Sequence, residues 1–149
     1  MASVQYLAAQ SYFNMLTALF PNYTVWVGAE LGVFQTPTTI EINGVTGDQQ
    51  PAELGPNYRR EETFSIHCKI TVFAGEGSTP TDFLNRMDDT WTVFNAIEVA
   101  VANNPTLTQV VRYAECGDMD YVPTTTQNGS AMGQLTFEVR CSQRVTSLS

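Results

Sequence analysis

The sequence predicts an α+β domain in which two helices pack on one face of a mostly antiparallel sheet. Apolar side chains recur every three or four residues in two segments and alternate with polar ones in several others. Glycine and proline separate these segments. The predicted order is α-β-β-β-α-β-β, which is typical of helices layered on a sheet. The 149 residues suit a single domain, 1–149.

Both predicted helices have clear stop signals. The first spans residues 3–20 and ends before Pro21. The second follows Thr79, whose hydroxyl can cap a helix, with proline at the first helical position and Asp82 three residues after the cap. Its apolar stripe continues to about Asn103. We therefore expect a short N-terminal helix and a longer central one.

Alternation of apolar and polar residues predicts five strands. It is clearest in the third, where the even positions are apolar and the odd positions are mostly polar. The strands are Tyr23–Val27, Thr38–Asn43, Glu62–Ala74, Leu107–Cys116 and Gln134–Ser142. Glycine and proline interrupt the intervening stretches, which predicts long loops at Gly44–Tyr58 and Gly117–Gly133 and a polar tail at 143–149.

The charge balance argues against nucleic-acid or membrane binding. Fifteen acidic residues oppose seven basic ones for a formal net charge of -8, and the first basic residue is Arg59. Such a chain lacks the basic surface that binds phosphates. No apolar stretch is long enough to span a membrane, and the first 20 residues lack the Lys or Arg of a signal peptide. We therefore expect synthesis in the cytoplasm.

No residue pattern indicates catalysis, a cofactor or a metal site. The single histidine, His67, falls on the polar face of its strand, away from the apolar core. Asp118 and Asp120 could offer carboxylates to a cation, but the glycine and glutamate of a calcium loop are missing. The three cysteines have no metal-ligand spacing and are expected to be buried thiols. Trp26 points to the face of its strand opposite Val25 and Val27, where it is either an exposed aromatic side chain or packed against the second face of the sheet.

Three local motifs resemble those of a known family. They are the Arg60–Thr63 strand entry (Arg-Glu-Glu-Thr), the Ala96–Glu98 helix segment (Ala-Ile-Glu) and the Asn104-Pro105 break. With the order of the elements, they resemble tail terminator proteins of long-tailed, siphovirus-type bacteriophages. The resemblance covers about residues 2–145.

This resemblance implies a non-enzymatic structural protein of the virion. Copies of the chain would close into a ring, typically a hexamer, that caps the head-proximal end of the tail tube and ends its polymerisation. The implied partners are the chain itself, the major tail tube protein and the head-neck connector. DNA would cross an acidic lumen without specific binding. The protein would be made in the host bacterial cytoplasm and reside in the neck of the virion.

Partner contacts are expected in the two predicted loops, because long loops on a rigid sheet commonly carry binding residues. The candidate interface residues are Gln49, Gln50, Glu53, Asn57, Tyr58, Arg59, Arg60, Asp118, Asp120, Tyr121 and Asn128.

Two alternatives stay open at this stage. The first is another neck protein or a subunit of the tail tube, which would polymerise alone into cylinders. The second is a small-molecule-binding or enzymatic α+β domain, which would need inward-facing polar groups such as His67 or Tyr113.

Overall fold

The computed structural model describes residues 4–28, 37–51, 59–74 and 77–146, and confirms the predicted α+β class and element order. It contains two helices and five strands in the described residues: α1 (Val4–Leu19), β1 (Thr24–Val27), β2 (Thr38–Pro51), β3 (Arg59–Phe73), α2 (Pro80–Asn103), β4 (Tyr113–Thr125) and β5 (Ala131–Thr146).

The strands form one sheet in the order β1-β2-β3-β5-β4, in which only the β1–β2 pair is parallel. β3 and β5 pair from Arg59 opposite Thr146 to Phe73 opposite Met132. The alternation predicted for β3 is confirmed, because Phe64, Ile66, Cys68, Ile70 and Val72 are all buried.

Both helices contribute to one core on the same face of the sheet. Tyr12 and Leu16 of α1 and Phe94 of α2 are among the largest fully buried side chains. Phe94 makes edge-to-face contacts with Phe137 at 5.0 Å and with Trp91 at 5.6 Å between ring centroids. Such aromatic pairs add to the free energy gained by burial alone.

The predicted start of α2 is confirmed in atomic detail. The Thr79 hydroxyl oxygen accepts a hydrogen bond from the Asp82 backbone N–H at 3.2 Å. In return, the Thr79 backbone N–H donates to Asp82 Oδ2 at 3.0 Å. This reciprocal pair forms a capping box that satisfies two otherwise unpaired backbone donors.

Packing of α2 on the sheet depends on the small size of Gly133. A Cβ atom at this position would lie 2.7 Å from the Tyr121 hydroxyl and 3.2 Å from the Arg86 carbonyl oxygen. Any larger residue would therefore push α2 and β4 apart.

The loop predicted from Gly44 to Tyr58 is wrong over its first half, since β2 continues to Pro51. The pairing register with β3 shifts between Ile42 and Gly44. This shift marks a β-bulge, in which one extra residue moves the inward-facing positions to the opposite parity. Ile40 and Ile42 face the core before the bulge, and Val45 packs against the core after it. Residues 52–58 lie outside the described residues.

The fourth strand is also displaced from its predicted position. Residues 107–112 form turns, and Leu107, Thr108 and Gln109 have positive φ angles. The Ser11 hydroxyl of α1 donates to the Leu107 carbonyl at 2.8 Å, which ties this turn to the first helix. β4 therefore begins at Tyr113.

The predicted connection Gly117–Gly133 is shorter in the structure, where residues 126–130 join β4 to β5. β4 continues to Thr125 through a second register shift, between Gly117 and Asp120. Likewise, the predicted tail is wrong at its start, because β5 pairs with β3 up to Thr146. The connection and the tail were both predicted too long because β4 and β5 continue past their apolar segments into polar residues. Hydrogen bonds to a neighbouring strand hold these extensions, and the sequence does not show such bonds. Among the described residues, no helix is both long enough and apolar enough to cross a membrane.

Candidate interaction surface

The face of the sheet opposite the helices carries a row of polar contacts across β2, β3, β5 and β4. Thr46 Oγ1 lies 2.8 Å from His67 Nε2, and His67 Nδ1 lies 3.5 Å from Glu138 Oε1. Arg140 Nε lies 3.8 Å from Glu138 Oε2, and the same guanidinium pairs with Asp118. The row links four strands through side chains that are at least partly exposed.

The ion pair at the end of this row perturbs both of its members. Hydrogen bonding and charge attraction from Arg140 lower the pKa of the Asp118 carboxyl, and the same contact raises the pKa of Arg140. Gly117 makes room for it, since a Cβ atom there would lie 3.0 Å from the guanidinium carbon. The arginine can therefore extend across β4 to the bulge.

The hydroxyl within hydrogen-bonding distance of His67 on this face is that of Thr46. The adjacent Cys68 lies on the opposite face of β3, where burial raises the pKa of its thiol well above the usual value. The other two cysteines, Cys116 and Cys141, have thiol pKa values of about 12 because of burial. All three are free thiols; Cys68 and Cys141 are buried as predicted, whereas Cys116 is only partly buried.

The two ends of the sheet differ in length and composition. β1 is an edge strand of four residues that ends in the exposed Val27, with Trp26 44% exposed on the outer face opposite Glu41. β4 is an edge strand of 13 residues with a bulge, and its exposed apolar side chains include Met119 and Val122. In the described part of the chain, each of these strands is paired along one side only.

The first helix and β1, which we call the α1/β1 side (residues 4–28), contain no charged side chain. Yet much of this side is exposed, including 58% of Tyr6 and 56% of Val27. A groove of about 340 Å³ runs between α1 and the sheet edge, and its lining residues are Tyr6, Ala9, Gln10, Phe13, Asn14, Val27 and Ile42. Aromatic side chains without charges are typical of the buried part of protein interfaces.

The structure separates the predicted interface residues rather than gathering them. Gln49 and Gln50 lie in β2 opposite Glu62 and Glu61, while Arg59 and Arg60 begin β3. Glu53, Asn57 and Tyr58 lie outside the described residues.

The remaining predicted residues lie on or next to β4. Asp118 and Asp120 are exposed at its bulge, Tyr121 is partly buried against the core, and Asn128 is exposed in the turn before β5. None of the predicted residues belongs to the α1/β1 side. The lack of charge on this side can be seen in the sequence, because the first charged side chain is Glu30.

Within the described ranges, no group of three or more His, Cys, Asp or Glu side chains is placed to hold a metal ion. No family model and no curated protein matches the sequence. Among solved structures, the chain is similar to one described as "Virion of native gene transfer agent (GTA) particle", with 12% identity and a TM-score of 0.39. The similarity covers 96% of this chain and 94% of that chain.

Proposed function

We propose that this protein is a structural virion protein that forms a ring at the head-proximal end of a phage tail tube. The ring ends tube polymerisation and joins the tail to the head-neck connector. The observation that carries the proposal is the presence of two unlike strand edges, β1 and β4, at opposite ends of one sheet. Unlike edges favour a head-to-tail contact, which closes into a ring when the rotation between copies permits it.

The proposed place of the ring rests on the order of elements and on the motifs that resemble those of tail terminator proteins. A capping ring needs one surface that matches the tube and another that does not, so it acts by shape and requires no catalysis. The net charge of -8 supports a lumen that DNA crosses without binding, because carboxylates repel phosphates.

We further propose that the extended β2–β3 end of the sheet contacts the tube or the connector. β4 begins at Tyr113, which pairs with Ser142 of β5, and Ser142 in turn pairs with Thr63 of β3. Residues 49–51 of β2 and 59–60 of β3 therefore extend past the end of β4. This region contains four of the predicted interface residues, Gln49, Gln50, Arg59 and Arg60. Replacing both arginines by glutamate should weaken binding to tube protein while leaving the ring intact.

Electron microscopy and native mass spectrometry of the purified protein test the proposal. We expect discrete rings of uniform copy number, and fewer long tubes when the protein is added to polymerising tube protein. Cylinders formed by this protein alone would instead identify a tube subunit. A protein that stays monomeric at every concentration and does not bind tube protein would contradict the proposal.

A further inference from the structure

The α1/β1 side has an unusual charge distribution for an exposed surface. All seven Lys and Arg and all fifteen Asp and Glu residues lie from Glu30 onward, so the rest of the chain carries the whole net charge of -8. The exposed face of a surface helix is ordinarily charged or polar. Here it carries Tyr6, Leu7 and Leu19, together with uncharged polar residues.

The exposed face of α1 around Gln10 and Asn14 is flanked by two grooves whose lining residues are uncharged. The first is the groove next to β1 described above, and the second, of about 510 Å³, lies between α1 and the turn at residues 104–110. Gln10 and Asn14 line both grooves. A partner that binds this face of α1 would cover the apolar side chains of both grooves without burying any of their lining residues in a charged state, since none of them is charged.

From this distribution we infer that the α1/β1 side binds the acidic β4 strand (Tyr113–Thr125), which we call the β4 side, of a second copy of the chain. This inference rests on the proposed ring and identifies its subunit contact. Two copies that carry -8 each repel one another most strongly where their acidic surfaces meet. A contact surface without charged side chains adds no local Coulomb repulsion, so a like-charged copy can approach it more closely than it can approach an acidic surface.

The β4 side offers both exposed apolar side chains and acidic residues. Its edge carries Met119 and Val122, both about half exposed, which can enter the apolar groove beside β1. The acidic residues Asp118 and Asp120 flank them, and Arg140 of β5 pairs with Asp118. This contact joins two different surfaces, so it repeats around a ring instead of closing at a dimer.

Gln10 allows a test in which shape and charge are separated. Gln10→Glu adds one negative charge with nearly the same shape, and Gln10→Lys adds one positive charge. The three residue types have similar helix propensities and Gln10 is exposed, so we expect unchanged thermal unfolding. The matched control is Asn95→Asp, which likewise converts an exposed amide into a carboxylate on a helix and lies outside α1, β1 and β4.

We expect Gln10→Glu to raise the protein concentration at which half the chains are in rings by roughly threefold or more, since it faces an acidic neighbour. Gln10→Lys should assemble at least as well as wild type, and the control should match wild type. Raising the salt from about 0.05 M to about 0.5 M should reduce the difference between the two Gln10 variants. Sedimentation velocity and native mass spectrometry give these concentrations.

Equal weakening by both Gln10 variants would overturn the inference in favour of two identical faces in contact. Rings that are indifferent to both changes would overturn it as well, and would free the α1/β1 side for another partner. A wild-type protein that forms no rings would instead overturn the proposed function on which the inference rests.

Discussion

The α1/β1 side and the side formed by α2 and β4 close the same sheet at its two ends with different chemistry. α1 buries three residues completely and has no charged side chain, whereas α2 buries six residues and has an acidic exposed surface. α2 also has a reciprocal cap. The buried residues and the cap of α2 are typical of a helix that stabilises the fold of the single chain. The uncharged exposed face of α1 is what we expect of a helix that a partner covers.

The largest expected effect tests how much the fold depends on α2. Phe94→Ala removes a ring that packs against Phe137 and Trp91, and should reduce the free energy of unfolding by about 3–5 kcal/mol. Urea denaturation measures this loss. The control is Leu84→Ala on the same helix, where the side chain is 65% exposed and the expected change is within about 0.5 kcal/mol. Equal midpoints for the two variants would mean that α2 does not anchor the core.

A smaller effect is expected at the N-terminus of α2. Thr79→Ala removes the hydroxyl that accepts the Asp82 backbone hydrogen bond and should cost about 0.5–2 kcal/mol. Thr81→Ala changes the same residue type two positions later, at an exposed site inside the first turn. If the two variants unfold at the same urea concentration, the cap makes no measurable contribution to the free energy of unfolding. The cap would then no longer distinguish the stability of α2 from that of α1.

The smallest expected effect lies in the charged row beside β4 and depends on pH. The pKa of Asp118 is lower in the folded protein than its unfolded value of about 3.9. The Asp118–Arg140 pair therefore stabilises the fold above that unfolded value, and the contribution is lost as the pH falls through the lower folded pKa. We expect Asp118→Asn to have a slightly lower Tm than wild type at neutral pH.

Acid should remove the difference between Asp118→Asn and wild type, and thermal unfolding at a series of pH values would show where it disappears. Asp120→Asn is the control, since it alters an exposed carboxylate in the same strand without touching the ion pair. A Tm difference for Asp118→Asn that persists in strong acid would mean that the substitution acts through the shape of the bulge.

The elements that could be predicted are those whose signals are local. The start of α2 depends on residues within one turn of each other. β3 keeps one parity from end to end because it pairs with β5 in a single register, so its alternation is a local signal. The site was harder to predict. Long polar stretches suggested loops, and the candidate residues were therefore chosen from segments that proved to be largely strand.

The amino-acid sequence by itself determined the fold class, the cap of α2, the apolar face of β3 and the absence of charge before Glu30. Only the tertiary structure decided the bulges at residues 42–44 and 117–120, because a bulge is defined by the register of a neighbouring strand. It also decided that the uncharged first helix packs on β1 and β2, at one end of the sheet. Burial depends on what packs against a segment, and residues distant in sequence supply that packing.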